Sequence, residues 1–194
     1  GIGEALAIGL AEHGTDVIIC DLESESRGLA NTQKQIEKTC KKCWSYFLDV
    51  TKKSQIQKMV SDILSDIGSI DILVNNAGIL TPTSLEEIDE ETWDNHFEVN
   101  TKGVLLMCQS VLPHMREKKS GRIINIASIA GRQGSPTQGH YASTKSAVIT
   151  LTRVLAQEVG EAGITVNAIC PGIILTEMGK NNLGSEKEIE HWSN

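Results

Sequence analysis

Tyr141 and Lys145 stand four residues apart in the stretch GHYASTKSAV, which reads as the opening of a helix. On a helix that spacing places phenol and ammonium on one face. A tyrosine titrates near pH ~10 in isolation and is a poor base at neutrality. A cation a few ångströms away favours the phenolate, so the pair is expected to turn the phenol into a general acid–base. Ser128 lies thirteen residues earlier. The loop between them holds Gly131, Gly134, Pro136 and Gly139 and can fold back to bring the serine hydroxyl to the same point. Each residue alone has an ordinary reading, as a solvated helix face or a turn. Together they place a phenol biased towards ionisation, a cation and a second hydroxyl at one point.

A cofactor end is legible as well. Gly1, Ile2 and Gly3 precede an apolar helix. Glycines there let backbone approach a pyrophosphate, which sits on the helix N-terminus. Asp21, with Leu22 behind it, lies close to the expected separation of about twenty residues at the end of the next strand. A carboxylate at that point accepts from ribose hydroxyls and repels a 2′-phosphate, which favours NAD, with NADP the alternative. Asp49, followed by Val50, ends the second strand-like run and is placed to accept from an adenine amino group. The plain alternative for both aspartates is helix capping. Asn75, Asn76, Ala77 and Gly78 supply amides and a glycine where the chain must turn.

The elements that carry these residues alternate. Strand-like runs are read at Thr15–Asp21, Cys43–Val50, Ile70–Gly78, Gly121–Ser128 and Ile164–Gly172. Between them lie helical patterns, among them a long one from about Glu91 to Lys118 and one from Tyr141. Apolar strands separated by helices predict an α/β fold: a Rossmann-type doubly wound parallel sheet with helices on both faces. In such sheets ligands bind at the carboxyl ends of the strands, which is where every residue named above falls.

In this order GIG, Asp21, NNAG, Asn100, Ser128, Tyr141-x-x-x-Lys145 and Pro171-Gly172 resemble the short-chain dehydrogenase/reductase family over essentially the whole chain. The resemblance implies Tyr141 as acid/base, Ser128 holding the substrate oxygen, and Lys145 lowering the tyrosine pKa and binding the nicotinamide ribose. It implies Asn100 anchoring a proton-relaying water. Thr176 would meet the nicotinamide carboxamide together with the backbone of Ile174, and Asn76 to Gly78 would line the ribose and pyrophosphate. It also implies that the family's first, central strand precedes Gly1 and that the last strand is missing. On that basis residues 1–194 are expected to be one Rossmann domain truncated at both ends, folding and binding cofactor poorly alone. The helices around Val104–Leu112 and from Tyr141 are apolar on more than one face, so a homodimer or homotetramer is expected.

Composition narrows the rest. The net charge of -7 argues against nucleic acid and against a basic membrane surface. No apolar run is long enough to span a bilayer. Five cysteines, Cys20, Cys40, Cys43, Cys108 and Cys170, read as reduced core thiols of a cytoplasmic protein. The lone Cys40-x-x-Cys43 lacks partners for a metal site, and no metal is expected. The leading reading is an NAD(P)-dependent enzyme interconverting a secondary alcohol and a ketone. The alternatives are a 3-oxoacyl-[acyl-carrier-protein] reductase using NADPH and a non-catalytic dinucleotide-binding relative. The tail from Ile173 is expected to fold over the substrate, with Met178, His191 and Trp192 in reach and a short helix at Ser185–Trp192.

Overall fold

The computed structural model describes residues 1–183. The proposed helix at Ser185–Trp192, with His191 and Trp192, lies outside those residues. Among the described residues five strands alternate with helices, as the hydrophobic periods predict. β1 (Val17–Asp21) pairs in parallel with β2 (Cys43–Phe47). β3 (Ile72–Asn75), β4 (Gly121–Ile126) and β5 (Ile164–Ile169) form a second parallel sheet in that order. Asn75 stands opposite Asn125, and Ile126 opposite Ile169. Among the described residues no ladder joins β1 to β3. The two ladders, β1–β2 and β3–β4–β5, are thus separate among the described residues.

Strand residues alternate faces, and the packing follows that alternation. Val17 and Ile19 of β1 enter one cluster with Ala7 and Ala11 of α1 (Ile2–Glu12) and Leu29 and Ile36 of α2 (Ser26–Glu37). Ile18, between them, turns the other way. It packs against a larger cluster built on α3 (Lys53–Asp66), α5 (Gly103–Lys118) and α7 (Gly139–Val159). Helices therefore cover both faces. On α7 the buried positions Val148, Thr152, Leu155 and Val159 recur at steps of four and three, one stripe of a helix against the sheet.

The long helix expected from about Glu91 begins at Glu90 as α4 (Glu90–Phe97). It runs through a π-helical turn at Glu98–Lys102 and continues as α5. Asp89 caps its start by accepting from the Thr92 N–H at 2.7 Å. A short α6 (Ala130–Gln133) follows β4, and α8 (Glu177–Leu183) closes the described chain.

The cysteine expectation needs correction. All five thiols are free, but only Cys108 is buried, while Cys20 and Cys40 are exposed. Cys20 shares the face of Ile18 and its Sγ donates to Met59 Sδ at 3.3 Å, but it lies near the end of a two-stranded ladder, where the residue stays open to solvent. No helix among the described residues is long and apolar enough to cross a membrane.

Candidate active site

α7 opens with Gly139, His140 and Tyr141, and its first two turns carry Tyr141 and Lys145 on one side. Lys145 Nζ lies 5.6 Å from the centre of the Tyr141 ring. The lysine is buried to 4 % exposure and donates to the Ile126 carbonyl at the end of β4, at 2.9 Å. Burial pulls its pKa down to about 8. Tyr141 moves the opposite way. Burial raises the phenol above its ordinary value, and a hydrogen bond from the Ser128 hydroxyl opposes that rise. The expected acidification of the phenol is thus not seen in this arrangement: burial outweighs the opposing Ser128 hydroxyl.

Ser128 reaches Tyr141 because two helices approach very closely. A Cβ on Gly131 would stand 2.7 Å from the Lys145 carbonyl carbon and 2.8 Å from the Ser146 nitrogen. Only glycine fits such an approach. Ser146 Oγ donates to the Gly131 carbonyl at 2.5 Å and pins the contact. Ser128 Oγ also accepts from the Ala130 N–H at 3.1 Å, which fixes the hydroxyl at the start of α6.

Asn100 sits in the π turn and is fully buried. Its Oδ1 accepts from the Ile79 N–H at 2.8 Å. Its Nδ2 donates to the Ile79 carbonyl at 3.0 Å and to Thr144 Oγ1 at 3.1 Å. The side chain therefore ties the chain leaving β3 to the middle of α7. A Cβ on Gly78 would meet Asn100 Oδ1 at 3.1 Å and Lys145 Nζ at 3.3 Å, so Gly78 lies between the two.

The remaining positions gather at the same strand ends with different degrees of commitment. Gly1 and Gly3 open α1, and a Cβ on Gly3 would collide with Asn76 Nδ2 at 2.6 Å. Ile2 and Asn76 are half-buried and Ala77 is exposed. Asp21 is exposed at the end of β1 and accepts from the Leu22 N–H at 2.9 Å. Asp49 is partly spent. Its Oδ1 accepts from the Thr51 N–H at 2.9 Å and the Thr51 hydroxyl at 2.7 Å. Burial would raise its pKa, but those Thr51 hydrogen bonds hold it below the ordinary value. Val50 is used in packing, against the first residue of α5. Pro171 and Gly172 follow β5, and the Pro171 carbonyl accepts from the Ile129 N–H at 2.9 Å. The Ile174 carbonyl takes the Thr176 N–H at 2.7 Å, and Thr176 Oγ1 accepts from the Gly179 N–H at 3.2 Å. Thr176 therefore caps α8 in this structure.

The sequence reading passed over a buried polar chain beneath these residues. Asn75 Nδ2 donates to Asn125 Oδ1 at 2.8 Å, and Asn125 Nδ2 donates to Thr152 Oγ1 at 2.9 Å. It links β3, β4 and α7, the three elements that hold the site. Its signal was present: Asn125 interrupts the apolar run GRIINIAS, and a buried amide needs partners. Thr144 is likewise missed, and Gly131 is read only as part of a fold-back loop, because their roles are contacts made across space.

Among the described residues no cluster of His, Cys, Asp and Glu converges as a metal site. The family model described as short chain dehydrogenase matches residues 1–187. A 3-oxoacyl-[acyl-carrier-protein] reductase of Staphylococcus epidermidis is 38% identical over 178 residues, covering 92% of this chain and 72% of its own. The protein of that name from Thermotoga maritima is 39% identical over 178 residues, with the same shares. Among solved structures, an NAD+-bound xylitol dehydrogenase superimposes with a TM-score of 0.90 at 30% identity, covering 95% of this chain and 74% of its own. A levodione reductase superimposes with a TM-score of 0.90 at 34% identity, over 98% of this chain and 73% of its own. Sequence match and strand-end geometry agree, and the chain belongs to the short-chain dehydrogenase/reductase family.

Proposed function

We propose that this NAD(P)-linked oxidoreductase interconverts a secondary alcohol and a ketone, with Tyr141 exchanging the proton. The observation that carries the reading is a half-buried Tyr141 with the buried Lys145 ammonium 5.6 Å from its ring centre and the Ser128 hydroxyl lowering its pKa against burial. A carbonyl oxygen placed between the two hydroxyls would accept from both. When bound, a nicotinamide supplies or accepts the hydride. The residues fit such a cofactor: Gly3 and Gly78 leave no room for a side chain beside Asn76, Asn100 and Lys145, and among the described residues Lys145 is a buried cation without a carboxylate. Lys145 would hold the nicotinamide ribose, Asn100 would order the relay to solvent, and Thr176 with Ile174 would turn to the carboxamide. Residues 1–194 are read as one dinucleotide-binding domain, placed in the cytoplasm with its thiols reduced.

Burial keeps the Tyr141 phenol protonated through neutral pH. A protonated phenol is a proton donor, so ketone reduction is supported near neutrality and alcohol oxidation should climb as pH rises towards the phenol's raised value. The test is a panel of secondary alcohols, ketones and 3-oxoacyl thioesters, followed by nicotinamide absorbance with both NAD(H) and NADP(H). Turnover of none of these would sink the reading. The 3-oxoacyl thioester is a second reading, favoured by the 38–39% identity to reductases of that substrate. A non-catalytic relative is disfavoured by the meeting of Ser128, Tyr141 and Lys145.

Asp21 sets the preference for NAD. Replacing it with serine removes the charge that opposes a 2′-phosphate, and should move the NADP/NAD ratio of kcat/KM up by about tenfold or more. An unchanged ratio would place the discrimination elsewhere.

We also propose assembly through the outer faces of α5 and α7. Leu105 and Val154 are exposed there, in a groove also lined by Phe97, Ala147 and Leu151. The two helices run side by side, so a second copy related by a twofold axis presents the same apolar stripe. Light scattering at micromolar concentration should give a dimer or tetramer, and Val154→Glu should shift it to monomer. A wild-type monomer would overturn this.

A further inference from the structure

Two histidines outside the site described above stand directly beside it. His96 lies on α4, and His140 is the neighbour of Tyr141 on α7. They are exposed by only 1 % and 0 %. Their rings meet edge to face with centroids 4.0 Å apart. Both reach the same residue of the segment that leaves β3. The Thr81 N–H donates to His96 Nε2 at 3.3 Å, and His140 Nε2 lies 3.0 Å from the Thr81 carbonyl.

These contacts define where the ring hydrogens are. A carbonyl only accepts, so His140 carries its hydrogen on Nε2. His96 Nδ1 lies 2.7 Å from the Thr92 carbonyl and carries its hydrogen there, which leaves Nε2 bare to receive the Thr81 N–H. The two rings are therefore neutral and of opposite tautomer. Among the described residues His140 Nδ1 has no partner, which suits a bare lone pair better than an N–H. Burial, then the neighbouring His96, hold the His140 pKa below its ordinary value against the pull of the Thr81 carbonyl.

The arrangement is part of a longer pattern. Both backbone groups of Ile79 are held by Asn100, and both of Thr81 by the histidines. The Thr83 N–H donates to the Thr137 carbonyl at 2.8 Å. Alternate residues of this segment are thus gripped as they would be in a sheet, but by side chains of the long helix and by the start of α7. Every grip except one ends within a few residues of Tyr141 or on Asn100.

We infer that His96 and His140 are positioning residues, which hold Thr81 between them and so set how far the Ile79–Ser84 segment stands from Tyr141. The consequence for catalysis rests on the function proposed above; the grip on Thr81 does not. Long-range proton–nitrogen correlation on 15N-labelled wild-type protein should show His96 with its hydrogen on Nδ1 and His140 with its hydrogen on Nε2. Reversed or mixed tautomers would overturn the inference, and this readout needs no variant. Amide exchange supplies the second. His96→Phe should speed exchange at Thr81 by about tenfold or more while Ile123 in β4 keeps its protection. His96→Gln, whose Oε1 can replace the lost acceptor, should restore most of it. Equal protection of Thr81 in His96→Phe overturns the grip. For turnover the probe is ethyl acetoacetate with reduced nicotinamide. His140→Phe should raise KM and leave kcat within about twofold, because the phenol and its partners remain. A loss confined to kcat would put the pair on the proton path and overturn a positioning role. Should wild type not reduce the probe, the proposed function is at fault, and the tautomers and exchange rates still decide the inference.

Discussion

Tyr141→Phe should lower kcat/KM by roughly 10²–10⁴-fold, the range general acid–base groups supply. The change is close to a deletion of one oxygen atom. The phenyl ring keeps the packing of the half-buried tyrosine and stays under the Lys145 ammonium, which lies 5.6 Å from the ring centre. What is lost is the acceptor for the Ser128 hydroxyl and the proton it shares. Ser128 retains its bond from the Ala130 N–H, so the α6 turn should survive. Dinucleotide affinity, measured by calorimetry, should therefore change by less than about threefold, since a neutral ring-to-ring change removes a single hydrogen bond. Full activity in Tyr141→Phe would remove the tyrosine from the chemistry. Loss of cofactor binding in the same proportion as activity would make the residue a structural one.

Gly131→Ala is expected to produce the largest effect of any substitution outside the four polar site residues. The new methyl would lie 2.7 to 2.9 Å from Lys145 and Ser146 atoms, two of the three belonging to the α7 backbone. Neither helix can yield locally, because Ser146 is bonded to the Gly131 carbonyl and Lys145 to the Ile126 carbonyl. Overpacking of this kind costs about 1–3 kcal/mol. For a chain of this size that corresponds to a melting temperature lower by roughly 2–12 °C. The catalytic effect should exceed the loss of folded protein, since relief of the clash moves Ser128 away from Tyr141. Gly134→Ala is the matched control. Gly134 has φ of 76° but no neighbour within 4 Å of an added Cβ. With ψ of 168° it lies in a region essentially reserved for glycine, so the substitution should cost about 1–3 kcal/mol of backbone strain while the folded fraction keeps its kcat. Equal kcat per folded molecule in both variants would show that the helix contact does not set the Ser128 position.

What could be read from sequence was what is periodic or local. The strand and helix order follows from hydrophobic spacing, and the shared face of Tyr141 and Lys145 follows from four residues of helix. The strand-end position of Asp21 follows from the length of the βα unit. What could not be read depends on approach across space. Gly131 looks like a turn residue until α7 is seen against it. His96 and Asn125 look like a surface histidine and a surface amide until their burial is known. The direction of the Tyr141 shift was misjudged for the same reason: spacing reports that a cation is near, but not that both groups have been taken out of water.

The π turn at Glu98–Lys102 has a consequence of its own. His96, Asn100, Val104 and Cys108 are all buried, and they follow one another at steps of four. In an ordinary helix four residues overshoot a full revolution by about 40°, so such a series would spiral away from the core. The wider turn slips the phase back and lets an imidazole, an amide and two apolar side chains look the same way. A chain shortened by one residue there would form a more regular helix, yet its two halves would disagree by about 100° on which direction is inward. The irregularity is thus a gear between a half that faces the chemistry and a half that faces the sheet.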